Sequence, residues 1–108
     1  MHSADPVVTR YDSHQPPTES DLRGRYSADG LQPYQWSNAP GDKYSPHSHD
    51  YHKVIYVLSG SITFGLPDKG GSIHLEAGDR LDLPAGVRHD ALVGPYGVVC
   101  LEAHQASR

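Results

Sequence analysis

From Leu31 onward the chain breaks into short runs rich in Val, Ile, Tyr, Leu and Thr, separated at close intervals by Gly, Pro, Asn and Asp. Runs this short cannot present a helical face to a core. Strands need only a handful of residues, joined by turns that supply positive or fixed φ. The pattern predicts strands over Gln32–Ser37, Lys43–Pro46, Lys53–Leu58, Ser61–Leu66, Ser72–Leu75, Arg80–Leu83, His89–Val93 and Val98–Ala103. Between them lie turn-forming groups such as Ala39-Pro40-Gly41-Asp42, Ser59-Gly60, Ala77-Gly78-Asp79, Pro84-Ala85-Gly86 and Gly94-Pro95-Tyr96-Gly97. This punctuation belongs to an all-β sandwich or barrel.

The first 30 residues read differently. Met1 to Pro17 is polar, with Pro6, Pro16 and Pro17 and no apolar period, which predicts an extended arm of weak order unless a partner chain pins it. Thr18 is a candidate N-cap for one short helix, with Glu19 and Asp21 in its first turn and Gly24, then Asp29-Gly30, as stop signals. The expected organisation is an arm over residues 1–30, free to wrap the barrel or lie across a partner, and a single barrel domain over 31–104. A chain of 108 residues and 11.8 kDa is the size of one ordinary domain with one modest core.

The formal net charge of -4 and the absence of any Lys/Arg run argue against nucleic acid or anionic membrane as partners. No apolar stretch has the length of a membrane span, and the first residues lack the apolar core of a secretory signal, so the expectation is a soluble, cytoplasmic protein. Cys100 is the one cysteine, which rules out an intrachain disulfide, and its apolar neighbours predict a small buried hydrophobe.

Histidine spacing carries the chemistry. Residues of equal parity on a strand face one side, so His47 and His49 can both point into a barrel, with Tyr51 and Lys53 following on that face. Pro84 and Gly86 shape a rigid turn that would bring His89 to the same interior. Three neutral imidazoles suit Fe(II), Ni(II), Zn(II), Mn(II) or Cu(II) and leave positions open for water or substrate. His2, His14, His74 and His104 have no spacing that relates them to this set and read as solvated.

The first segment reads Gly41, five residues, His47, Ser48, His49, three residues, Lys53, six residues, Gly60; the second reads Gly78, five residues, Pro84, Ala85, Gly86, two residues, His89, three residues, Val93. Together they resemble the paired motifs of the cupin superfamily, over Gly41 to Val93. That resemblance implies a jelly-roll β-barrel with a metal near its mouth, assembled as a homodimer. Two positions depart from the family pattern. Lys53 stands where these proteins usually carry a Glu that ligates the metal, and Val93 stands where they usually carry Asn. An ammonium beside a divalent cation is repulsive by on the order of several kcal/mol, so Lys53 must deprotonate, turn away or pair with an anion, Glu102 and Asp82 being the residues in view. The remaining ligand set is similar to that of three-histidine, iron-dependent dioxygenases.

These readings place the metal on His47, His49 and His89, an acid/base or substrate-anchoring role on Lys53, a phenolic hydrogen bond on Tyr51, and a substrate-binding wall on Tyr34 and Trp36. The function expected is a metal-dependent dioxygenase or isomerase/lyase acting on a small polar metabolite. Two alternatives stand beside it: a non-catalytic sensor or carrier for a sugar or carboxylate, and a metal-free barrel acting in protein association.

Overall fold

The computed structural model describes residues 5–106, so His2 lies outside the described residues. The elements in chain order are β1 (Val7–Thr9), α1 (Glu19–Ala28), β2 (Tyr34–Asn38), β3 (Lys43–His47), β4 (Tyr51–Gly65), β5 (Ser72–Glu76), β6 (Arg80–Leu83) and β7 (His89–Ala106). The fold is all-β, one antiparallel jelly-roll barrel with one short helix.

Two long strands organise the barrel. β4 and β7 pair antiparallel from Tyr51↔Ala106 to Gly65↔Asp90. On its other edge β4 takes β6 along its first half and β5 along its second, while β7 takes β2 along its C-terminal half and β3 near its start. The register shifts at Val57/Ser59 and again at Gly60/Ile62. There the long ribbon bends, so that its two halves face each other across a common interior.

The sequence patterns predicted four separate strands where β4 and β7 run. The reason is local. Gly60 and Gly97 have φ of 77° and 79°, and a β-carbon on Gly60 would overlap the Gly97 carbonyl. They are bulge positions that bend two continuous strands, and in sequence they look like turns.

Alternation then assigns the faces. Odd positions of β4 (Ile55, Val57) meet Leu81, Leu83, Val98 and Cys100 in the barrel interior. Even positions (Val54, Tyr56) join Leu101 and Ala103 under α1. Thr18 caps this helix through Oγ1, which accepts from the Asp21 amide at 3.1 Å. α1 docks through Leu22 and Tyr26, four residues apart on one face and both fully buried. It runs through Gly24, expected to stop it, because anchors on either side outweigh the roughly 1 kcal/mol that a mid-helix Gly costs. The Tyr26 hydroxyl reaches the carbonyl oxygens of Val54 (2.8 Å) and Leu101 (2.9 Å), tying the helix to both long strands.

The arm is held within the chain. β1 pairs with β6, Val7 opposite Asp82 and Thr9 opposite Arg80. The buried carboxylate of Asp79 accepts from the amides of Tyr11 (2.9 Å) and Glu76 (2.9 Å) and pairs with Arg10 at 3.0 Å. A strand edge and a buried anion that needs donors supply the order expected from a partner chain.

Candidate metal centre

The turn Pro84 to Val87 and the end of β3 bring the three histidines together. His47 closes β3 opposite His89, the first residue of β7, with ring centroids 4.4 Å apart. His49 lies beyond the strand, in the loop before β4, and its ring is 4.8 Å from His47 and 5.5 Å from His89. The expected convergence is therefore reached by a break in the strand after His47 rather than by two equal-parity positions on one strand. The Gly86 amide donates to the His49 carbonyl at 2.8 Å and joins the two ligand-bearing loops.

Hydrogen bonds orient each ring. His47 Nδ1 donates to the Ser45 carbonyl (2.7 Å) and His89 Nδ1 to the Val87 carbonyl (2.9 Å), which leaves a lone pair on each Nε2. His49 Nδ1 lies 3.2 Å from the Tyr51 hydroxyl, and its Nε2 is buried with no hydrogen-bond partner. A ligating nitrogen from each of the three lies within 4.8 Å of the others.

Burial, the charge of Lys53 and the neighbouring imidazoles lower the His49 pKa to about 4. His89 is also held low, mainly by burial, with the Val87 carbonyl pulling the other way. An orphaned buried nitrogen beside two imidazoles whose Nδ1 atoms are already engaged by carbonyls fits a divalent first-row metal ion.

His47 and His89 line a cavity of about 290 Å³ together with the apolar side chains of Ile55, Ile62, Phe64 and Ala91 and with Tyr34, Trp36, Lys53 and Glu102. The expected wall residues Tyr34 and Trp36 thus face this space, and so does Lys53. Tyr51 sits behind His49. Its ring stacks on His49 at 5.0 Å and on His104 at 4.1 Å, so its hydroxyl addresses a ligand rather than the cavity.

On the cavity wall Glu102, 3 % exposed, accepts from Tyr34 Oη (2.6 Å), Trp36 Nε1 (3.1 Å) and His104 Nε2 (2.5 Å), and its Oε2 lies 3.5 Å from Lys53 Nζ. Burial would raise this carboxyl, but the bonds from Tyr34 and His104 and the charge of Lys53 outweigh it and hold Glu102 low. Of the two anions weighed for Lys53, Glu102 is the partner; Asp82 pairs with Arg80 (2.7 Å) and His52 (3.2 Å) on the outer face.

His104 is the neighbour of the site that sequence reasoning missed, and Glu102, expected only as a partner for Lys53, also lines the cavity. His104 is exposed, as expected, and is also engaged with Glu102, Tyr34 and Tyr51. The signal was the parity of Glu102 and His104 with Cys100, which points inward on the same strand.

The sequence profile of the cupin domain family matches residues 35–93, more than half of the chain. The chain belongs to the cupin family. Among solved structures, this cupin is similar to an RmlC-like cupin from Shewanella frigidimarina NCIMB 400, with 26% identity over 72% of this chain and 68% of that one and a TM-score of 0.60. It is also similar to the polyketide cyclase RemF from Streptomyces resistomycificus, at 28% identity over 72% of this chain and 58% of that one with a TM-score of 0.57. KdgF from Halomonas sp. shares the fold at 20% identity over 92% and 76% of the two chains, with a TM-score of 0.57. No curated protein matches the chain. Among the described residues of this cupin no helix is long and apolar enough to cross a membrane.

Proposed function

We propose that this cupin is a metal-dependent enzyme that holds a divalent first-row ion on His47, His49 and His89 and acts on a small polar, anionic metabolite, as a dioxygenase or an isomerase/lyase. One observation carries the reading: three imidazoles with Nδ1 engaged and Nε2 free converge at a largely apolar cavity that carries an ammonium. An ion bound there would polarise a substrate oxygen as a Lewis acid or, if redox-active, support oxygen chemistry.

The chain's own residues do the rest. Ile55, Ile62, Phe64 and Ala91 exclude water from the middle of the cavity. Lys53 offers N–H donors to substrate charge, Tyr34 and Trp36 wall the cavity, and Tyr51 holds the His49 ring in place. A second reading, a non-catalytic binding module, draws support from Glu102: its oxygens are taken up by donors, which leaves it poorly placed as a general base. The family-level expectation of a homodimer is part of the proposal, and sedimentation velocity measures it.

The deciding experiment is plasma mass spectrometry on the full chain purified without a histidine tag, alongside His47→Ala. The enzyme reading expects a first-row metal near one per chain and its loss in the variant. Turnover of a panel of small oxygenated acids with and without oxygen then separates dioxygenase from isomerase/lyase, and metal retention without turnover favours the binding module. A wild-type protein that stays empty after Fe(II), Ni(II) and Zn(II) are offered overturns the metal reading.

A further inference from the structure

Three imidazoles bring no negative charge to a divalent ion, and the cationic side chain of Lys53 lines the same cavity. The buried polar or charged residues among those described are Asp79, His89 and Glu102, and of the two carboxylates Glu102 alone lines this cavity. It lies on β7 opposite Ile55 and therefore diagonal to Lys53 on the interior face of β4, where the ammonium and carboxylate are 3.5 Å apart. Both charges reach the histidines with opposite sign. At His49 the field of Lys53 disfavours positive charge and that of Glu102 favours it.

We propose that Glu102 is the charge-balancing carboxylate of this centre, acting from outside the coordination shell by cancelling the ammonium of Lys53. The inference rests on the metal reading above. Tyr34, Trp36 and His104 fix the carboxylate on the cavity wall, so it stays a hydrogen-bonded anion and does not swing onto the ion. Glu102 is a positioning residue, and Lys53 weakens metal binding unless Glu102 faces it.

The test is titration calorimetry of Zn(II) into the metal-free, untagged full chain. Lys53→Met is expected to bind Zn(II) about tenfold more tightly and Glu102→Gln about tenfold more weakly, while the double variant returns to within about threefold of wild type. A purely structural role for Glu102 predicts a different pattern, in which Glu102→Gln loosens the wall and Lys53→Met does not rescue it. If Glu102→Gln fails to fold, Glu102→Asp, which keeps the charge, should match wild type, and Lys53→Met should still bind more tightly. Unchanged or weaker binding in Lys53→Met overturns the inference, as does wild-type affinity in Glu102→Gln. Wild-type protein that takes up no Zn(II) overturns the metal reading and this inference with it.

Discussion

The ring of Tyr11 lies against Gly78 so closely that a β-carbon on residue 78 would overlap the ring at Cγ and Cδ2. Gly78 also has φ of 92°, a conformation side chains resist. Gly78→Ala should therefore lower the unfolding free energy by about 3 kcal/mol or more, combining backbone strain with a displaced arm. In a Tyr11→Gly background, which also removes the Tyr11 β-carbon that lies 2.6 Å from the added one, the same change should cost about 1 to 2 kcal/mol, the backbone part alone. Urea denaturation of the four proteins gives the difference, and equal costs in both backgrounds would show that the contact carries no energy.

Acid should weaken the same region. Burial works to raise the Asp79 carboxyl, but the Glu76 and Tyr11 amides and Arg10 outweigh it and hold it below the ordinary value of 3.8. The unfolded chain then binds the proton at a higher pH than the folded one does. This stabilisation is complete above the ordinary carboxylate range and is lost as pH falls through it toward the folded value. Asp79→Asn should be less stable than wild type at pH 7, and the gap should narrow as the pH drops below about 4. Urea midpoints across the pH range test this, and a gap that stays constant refutes it.

Metal retention should discriminate between histidines. His89→Ala removes a buried imidazole opposite His47 and should abolish binding. His74→Ala alters an exposed ring hydrogen-bonded to Thr63 and should leave binding within about twofold of wild type. Equal retention in the two variants would contradict the site assignment.

Cys100 is fully buried, and burial pushes its thiol well above the ordinary value. Its exchange with an aromatic disulfide reagent, which forms a mixed disulfide and releases the aromatic thiolate, should be slow in native protein and rapid in denaturant, with a native rate limited by opening of the barrel. Fast labelling under native conditions would place the thiol at the surface.

The histidine triad was legible because its spacing and the Pro84–Gly86 turn are local features, and the structure converges all three. The strand count was less legible. A bulge glycine such as Gly60 differs from a turn glycine only through what crosses it, and the Gly97 carbonyl that does so is remote in sequence. Glu102 was legible as a partner for Lys53, but its place on the cavity wall and the engagement of His104 were hidden for a related reason. Their inward parity follows from Cys100, but their partners Tyr34, Trp36 and Lys53 come from β2 and β4, and only pairing with β7 brings those strands alongside. The order of the arm likewise depends on Asp79, whose need for donors becomes visible only once it is buried.

The hydrogen bond from the Gly86 amide to the His49 carbonyl fastens together the two loops that carry ligands from opposite sides of the mouth. Loops latched in this way need not search for one another when an ion arrives. The entropy of gathering the imidazoles is lost during folding, and uptake is left with the exchange of the ion's hydration shell as its slow event. Capture should then be a single phase that is first order in the ion, and its rate should rank different metals as their own water exchange does.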